Sequence, residues 1–145
     1  MDADGSNRRF LVSGPSPRFS PDGKTILYTE ENTHPGKLWK MVGVDGSNLR
    51  DLGKVEDSVF STDGRHVLCL SPEWRRRLWV LDIYGSNRRQ LDVPAGYVDF
   101  LRSCRDGFLF KVVTNDQVGD IYVVHTDDWR IEHVASMRSP AGPER

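Results

Sequence analysis

A short phrase recurs three times in this chain, and this repetition limits the possible folds more than any other feature of the sequence. It reads PRFSPDGKTILY at 17–28, SVFSTDGRHVLCL at 58–70 and VDFLRSCRDGFLF at 98–110. A second phrase alternates with it, as DADGSNRRFL at 2–11, VDGSNLRDLG at 44–53 and IYGSNRRQLD at 83–92. Both phrases return after roughly 40 residues, a period typical of proteins that stack one small supersecondary unit several times.

Each repeat divides into four short strands separated by turn residues. In the SPDG turn, Pro21 fixes φ, the aspartate can bond its own backbone, and Gly23 accepts positive φ. The second strand of each repeat is an apolar run, which favours a strand covered on both faces. Helical periodicity is absent. The sequence therefore predicts an all-β fold of four-stranded antiparallel blades, a three-bladed partial β-propeller. The predicted strands are 17–20, 25–29, 38–44 and 49–53, then 57–61, 66–70, 78–83 and 88–92, then 97–102, 108–113, 121–125 and 130–135.

These repeats define one predicted domain, 1–138, followed by a polar tail at 139–145. Within it we expect an orphan outer strand at 8–13 and blades at 17–53, 57–93 and 97–136. Closed propellers have about four to eight blades, so we expect a piece of a longer propeller lineage, with a complete three-bladed chain as the alternative. An open arc would leave apolar faces uncovered. A homodimer that closes the ring is therefore one expected partner arrangement.

The composition excludes several kinds of partner. The 145 residues carry 20 basic and 21 acidic side chains, and this balance gives no basis for binding nucleic acid or an acidic membrane surface. No apolar run approaches the length of a membrane span. Cys69 and Cys104 are too few for a disulfide framework. We therefore expect no nucleic-acid partner, no membrane insertion and, by default, a cytoplasmic location.

Catalytic and metal-binding patterns are also absent from the sequence. It contains no G-x-S-x-G elbow, no H-E-x-x-H, no P-loop and no glycine-rich dinucleotide turn. The four histidines, His34, His66, His125 and His133, show no ligand spacing. We expect no enzymatic activity, no catalytic residue, no cofactor and no metal.

The connections between the second and third strands, and between successive blades, emerge together on one face of a propeller. They differ between repeats, whereas the SPDG and DGSN turns on the opposite face are nearly identical, and recognition usually belongs to variable loops. The segment 74–77, Trp-Arg-Arg-Arg, is either an interaction hot spot or a solvated hairpin tip beside a packed tryptophan. This face is the predicted binding surface for protein or peptide, with candidate residues His34, Asp57, Trp74, Arg75, Arg76, Tyr97, Asp99 and Asp116.

SPDGKTILYT followed by LWKMVGVDGSNLRDLG resembles the WD-repeat-like blades of TolB-type propellers, and the resemblance covers roughly 2–135. The third repeat departs from it, because 105–107 keeps only the Asp-Gly pair and 126–129 replaces DGSN. The resemblance implies a non-enzymatic protein-binding or peptide-binding module of translocation-associated, often periplasmic, proteins. Similar repeats also form the gating propeller of prolyl-oligopeptidase-like serine peptidases, and this is the alternative. A lyase on a propeller scaffold is a third possibility.

Overall fold

The computed structural model describes residues 17–30, 37–73, 76–84, 86–114 and 118–138. Over these residues the chain consists of strands, turns and connections, without a helix. The strands are β1 (Arg18–Phe19), β2 (Thr25–Thr29), β3 (Lys37–Gly43), β4 (Arg50–Val55), β5 (Asp57–Phe60), β6 (His66–Leu70), β7 (Leu78–Asp82), β8 (Arg89–Gln90), β9 (Tyr97–Cys104), β10 (Gly107–Val113), β11 (Val118–His125) and β12 (Ile131–Arg138).

The strands form three four-stranded sheets, in each of which every strand pairs with its neighbour in the chain. Strands β1–β4 form blade 1, β5–β8 blade 2 and β9–β12 blade 3, and all pairings are antiparallel. The predicted fold class is confirmed. The predicted orphan strand at 8–13 and tail at 139–145 lie outside the described residues.

Several strand lengths differ from expectation, most clearly in blades 2 and 3. The predicted outermost strand of blade 2, 88–92, is reduced to Arg89–Gln90, because the chain leaves the ladder after Leu91 donates to the Leu78 carbonyl at 2.9 Å. In blade 3, β11 and β12 each run for eight residues, longer than predicted. A bulge after Ile121 lets the paired strands of blade 3 continue beyond an irregularity in their register.

The turn between the first two strands of a blade has the same geometry in blades 1 and 2. In blade 1 the Ser20 hydroxyl donates to Asp22 Oδ1 at 2.6 Å, and the Lys24 amide donates to the same oxygen at 3.0 Å. Ser61, Asp63 and Arg65 repeat these bonds in blade 2. Gly23 and Gly64 both have φ of 71°, a conformation that costs other residues energy. The repeated sequence therefore encodes a repeated turn.

The turn that precedes the outermost strand is built differently in the two blades. In blade 1 the Ser47 amide donates to Asp45 Oδ1 at 2.9 Å, as the DGSN sequence favours. Blade 2 has Tyr84 in place of this aspartate, and Asp82 accepts instead, from the Ser86 amide at 2.9 Å and the Asn87 side chain at 2.7 Å. A carboxylate two residues earlier thus preserves the turn.

The hydrophobic core lies between the blades. One buried cluster joins blade 1 to blade 2, and a second joins blade 2 to blade 3. The first cluster contains Leu27, Trp39, Met41, Leu52, Val55, Phe60, Val67, Cys69 and Leu81. The second contains Val59, Leu68, Leu70, Leu78, Val80, Leu91, Val98, Leu101, Phe108, Phe110, Val112 and Val124. Each described sheet therefore buries its apolar side chains against its neighbour, as stacked repeats do.

The outward faces of the two terminal blades differ in exposure. On the face of blade 1 that points away from blade 2, Ile26, Tyr28 and Val42 are buried. The corresponding face of blade 3, which we call the distal face of blade 3, carries half-buried aliphatic side chains and an exposed Met137. Its aliphatic residues are Leu109, Ile121, Val123 and Ala135.

Candidate interblade binding site

Arg76, the last residue but one of the connection between β6 and β7, joins blade 2 to blade 3. Its guanidinium carbon lies 4.3 Å from the centre of the Tyr97 ring, within the range of a cation–π contact. One of its nitrogens donates to the Val98 carbonyl at 3.1 Å, and the other lies 3.9 Å from Glu56. The side chain is only 17% exposed. Arg76 is therefore held in one position at the start of β9.

Ser71, at the start of the same connection, holds the base of the loop that carries Arg76. The Ser71 amide donates to the Arg77 carbonyl at 2.9 Å, and the Arg77 amide donates to the Ser71 hydroxyl at 2.8 Å. These two bonds close the loop at its base. The Arg77 side chain itself is 56% exposed, with its nearest carboxylate, Glu73, at 3.9 Å.

A second arginine makes the equivalent joint between blades 1 and 2. Arg18 in β1 pairs with Asp57 at 3.1 Å, donates to the Ser58 carbonyl and lies 5.3 Å from the Trp39 ring centre. Ser58 and Val98 are both the second residue of an innermost strand. In both joints, therefore, an arginine of one blade binds the backbone carbonyl at the equivalent position of the next blade.

Beside the Arg76 joint lies a cleft of about 850 Å³, which we call the interblade cleft. One wall is the connection from β8 to β9. The other wall consists of the two residues before β7 and of the end of β10. A volume in this range is typical of sites that hold a small ligand or a short peptide segment. The residues that line it are Arg76, Arg77, Gln90, Leu91, Asp92, Val93, Pro94, Ala95, Gly96, Tyr97, Val113 and Thr114.

The wall formed by 91–96 depends on a glycine. Gly96 has φ of 148°, and a Cβ at this position would overlap the Val112 side chain. Because glycine has no Cβ, the backbone at Gly96 can pass close to β10. Pro94 and Ala95 are exposed at the rim of the cleft. The cleft thus combines an apolar wall with the cationic side chain of Arg77, and Asp92 contributes a carboxylate.

The structure brings together only some of the residues predicted to bind. Arg76 and Tyr97 contact each other in the interblade cleft, whereas Asp57 is held by Arg18 in the neighbouring joint. Asp99 is exposed on β9, at the position where the pairing with β10 shifts. The remaining candidates lie outside the described residues: His34, Trp74, Arg75 and Asp116.

Several residues of the cleft and of the neighbouring joint were not predicted. Pro94 and Gly96 belong to a connection whose role depends on where it crosses the neighbouring blade. Arg18 lies in a strand predicted only as structure. The one available signal was the Pro-Ala-Gly sequence at 94–96, which predicts a turn between blades.

A second groove, of about 530 Å³, lies between the turns of blades 1 and 2. Its three aspartates, Asp22, Asp45 and Asp63, accept hydrogen bonds from their own turns. Three cationic side chains, of Lys24, Arg50 and Arg65, balance them. Because its carboxylates already serve the fold, this groove is a weaker candidate for binding than the interblade cleft.

The polar clusters of blade 3 do not form a catalytic arrangement. His133 Nε2 lies 3.2 Å from Asp120 and 3.1 Å from Ser136. The Ser136 hydroxyl, however, donates to Asp120 at 2.6 Å, so it is not oriented toward a histidine base as a nucleophile would be. Hydrogen bonds from Ser136 and then from His133 hold the pKa of Asp120 below its usual value.

The described part of the chain shows no metal site, and one of its two thiols, that of Cys69, is buried. No group of three or more His, Cys, Asp or Glu side chains there is arranged to bind a metal ion. Burial raises the pKa of the Cys69 thiol to about 11, so this cysteine is protonated at neutral pH. In the same ranges, no helix has the length and apolarity needed to cross a membrane.

Antiparallel four-stranded sheets that pack face to face, with their turns on one side and variable connections on the other, define a segment of a β-propeller. In sequence the chain is similar to the Tol-Pal system protein TolB of Anaeromyxobacter dehalogenans, with 32% identity over 99 residues. The match covers 63% of this chain and 23% of that protein. No family model matches the chain.

Solved structures show the same fold. A protein of Agrobacterium tumefaciens provisionally assigned as TolB superposes with a TM-score of 0.66 at 17% identity, over 90% of this chain and 53% of that one. The β-propeller domain of the Trilobed protease from Pyrococcus furiosus superposes with a TM-score of 0.64 at 18% identity, over 88% of this chain and 45% of that one. The chain thus has the fold of part of a β-propeller and is similar in sequence to TolB, and it spans about half or less of the relatives it matches.

Proposed function

We propose that the chain is a non-enzymatic module that binds a protein or peptide through its interblade cleft. The observation that carries this proposal is the fixed position of Arg76 on Tyr97 beside a cleft of about 850 Å³. A preorganised site loses little side-chain entropy on binding, and Tyr and Arg are enriched in binding hot spots. The similarity to TolB, whose name places it in the Tol-Pal system, agrees with a protein-binding role.

The shape of the cleft favours an extended peptide segment as the ligand. The connection 91–96 offers an apolar surface from Val93 and Pro94, and Leu91 closes its base. Arg77 at the rim is exposed and available to a carboxylate or a carbonyl of the ligand. Such a mixture of an apolar wall and a few polar groups is typical of specific binding sites.

Selection of random linear peptides displayed on phage, with the immobilised chain as bait, tests this proposal. The dissociation constant of a selected peptide is then measured by fluorescence anisotropy with the wild type and with Tyr97→Ala and Arg77→Glu. We expect both variants to weaken binding by about tenfold or more. Arg65→Glu, in the second groove between the turns of blades 1 and 2, is the matched control, and we expect it to bind as the wild type does. Failure to enrich any peptide, or equal losses in all three variants, would contradict the proposal.

The alternative function is a gating segment in the propeller of a serine peptidase. The Trilobed protease propeller among the solved structures is the observation that favours it. The two functions differ in whether the native polypeptide carries a reactive serine. An antibody raised against this chain would isolate that polypeptide, which is then treated with a fluorophosphonate probe. Labelling would support the peptidase, whereas an unlabelled polypeptide that still binds the selected peptide would support the binding module.

A further inference from the structure

The two connections between successive blades differ in length and in how their backbone is bonded. From blade 1 to blade 2 the connection is the single residue Glu56, whose amide donates to the Leu70 carbonyl at 2.7 Å. From blade 2 to blade 3 the connection is the segment 91–96, and it forms one wall of the interblade cleft. In repeat proteins, a longer loop at an equivalent position of one repeat often belongs to the binding face.

This longer connection leaves most of its backbone without a partner in the protein. Its first amide, that of Leu91, still donates to the Leu78 carbonyl at 2.9 Å. Among the described residues, no hydrogen bond involves the amides or carbonyls of 92–95. Each residue of this segment carries a carbonyl, and each except Pro94 carries an amide. Main-chain groups that line the interblade cleft can therefore bind a ligand.

The side chains of the connection hold this backbone in place. Leu91 is 4% exposed and belongs to the core cluster between blades 2 and 3, and Val93 packs against the same cluster. Asp92 and Pro94, which alternate with them, are exposed. Such alternation is the pattern of a strand with one face on the core. The segment is therefore fixed by packing rather than by hydrogen bonds, and binding need not order it first.

We propose that an extended segment of a partner protein pairs with 92–95 as an added β-strand. This inference rests on the proposed peptide-binding function of the interblade cleft and specifies how the peptide is recognised. In a strand, the amide and carbonyl of one residue point to one edge, and those of the next residue point to the other. Because Pro94 has no amide, the edge that can pair fully carries the groups of Val93 and Ala95.

Main-chain pairing determines the chemical class of the partner. Donors and acceptors that alternate along an extended backbone are matched by a second polypeptide backbone, which supplies most of the affinity in strand addition. Side chains then select among sequences. Tyr97 is 40% exposed and can contact an apolar side chain, while the 56% exposed Arg77 on the opposite wall can bind a carboxylate. We therefore expect peptides without proline at the paired positions.

N-methylation of single peptide bonds in the tightest-binding phage-selected peptide tests strand addition. Each methyl group removes one amide donor and leaves the side chains unchanged. We expect methylation at alternate residues to weaken binding by about tenfold or more. The intervening residues, whose amides point away from 92–95, are the matched control and should tolerate it. Fluorescence anisotropy with the wild type and with Tyr97→Ala gives the dissociation constants and shows that the peptide occupies the cleft.

Amide hydrogen exchange of the chain, followed by NMR, measures the same contact from the protein side. Without peptide, the amides of Val93 and Ala95 should exchange rapidly, because they form no hydrogen bond in the described structure. Saturation with the peptide should slow both by about tenfold or more. The amide of Asp92, on the opposite edge, is the control and should be slowed less.

The possible results separate strand addition from the binding function itself. A peptide whose binding depends on Tyr97 but tolerates methylation at every position would overturn strand addition and leave the peptide-binding function intact. Losses at every position would also overturn it, since a strand presents only alternate amides to its neighbour. Unchanged exchange at Val93 and Ala95 in the complex would place the contact elsewhere in the cleft. A selection that yields no peptide would contradict both proposals.

Discussion

The Arg76 guanidinium lies 4.3 Å from the centre of the Tyr97 ring, so a charge on an aromatic face joins blade 2 to blade 3. The same arginine donates to the carbonyl of the residue after Tyr97, Val98. Arg18 makes the corresponding contacts one blade earlier, with the Ser58 carbonyl and with Asp57. Polar contacts at the innermost strands therefore supplement the apolar packing between blades.

Replacement of Arg76 should reduce the stability of the folded chain. We expect Arg76→Ala to lower the free energy of unfolding by about 2 kcal/mol, because it removes the cation–π contact and the bond to the carbonyl. Arg77→Ala removes a neighbouring, exposed arginine and should change it by about 0.5 kcal/mol or less. Urea unfolding of the two variants measures both effects. If both variants lose the same free energy of unfolding, the contacts of Arg76 with Tyr97 and Val98 do not stabilise the fold.

Two glycines of blade 3 should respond very differently to a methyl group. At Gly107 a Cβ would overlap the Val124 carbonyl oxygen of the paired strand, so the backbone must move. We expect Gly107→Ala to cost about 3 kcal/mol. At Gly119 the overlapping atom is the end of the flexible Lys111 side chain, and Gly119→Ala should cost less than about 1 kcal/mol. Thermal unfolding distinguishes them, and the reverse order would contradict the packing described.

The aspartates of the first turns should make stability fall in acid. Hydrogen bonds, first from Ser20 and then from the Lys24 amide, lower the pKa of Asp22 from its ordinary 3.8. For Asp63, burial acts to raise the pKa, but bonds from Ser61 and Arg65 outweigh it and the pKa is again lowered. As the pH falls, these two carboxylates are therefore protonated in the unfolded chain before they are protonated in the folded chain. Their contribution to stability is complete above pH 3.8 and is lost as the pH falls through their lower pKa values in the folded chain.

Urea unfolding at a series of pH values between 6 and 2 measures this loss. The double variant Asp22→Asn, Asp63→Asn should be less stable than the wild type near pH 6 and should lose less stability on acidification. If both proteins show the same pH dependence, the carboxylates of these turns are not its source.

The two cysteines should differ in reactivity toward a thiol reagent such as Ellman's reagent. Cys69 is 1% exposed, and burial raises its pKa to about 11, so it should not react in the folded chain at pH 8. Cys104 is partly exposed and should react. One thiol in the native chain and two in urea is the expected titration. Rapid reaction of both without denaturant would contradict the burial of Cys69.

The sequence predicted the strands and turns well because these depend on local chemistry. The apolar runs of β2 and β6 begin and end where the pattern places them, and Gly23 and Gly64 adopt the positive φ that the turn requires. The role of Asp82 was not predictable from the motif, since a carboxylate in a strand replaces one in the turn.

The site was less predictable because it depends on contacts between blades. Arg76 and Tyr97 were predicted on the same surface, but their stacking depends on how the blades pack. The pairing of Arg18 with Asp57 joins residues 39 positions apart, and no local pattern contains it. Gly96 reads as an ordinary turn residue until β10 is seen beside it.

The two interblade clusters also determine how the molecule should come apart. Blade 2 contributes side chains to both clusters, whereas blade 1 contributes to the first and blade 3 to the second. Loss of either terminal blade leaves one cluster intact, but loss of the central blade removes both. Amide hydrogens of β6 should therefore exchange with solvent more slowly than those of β2 or β10, and opening should proceed from the ends of the arc toward its middle.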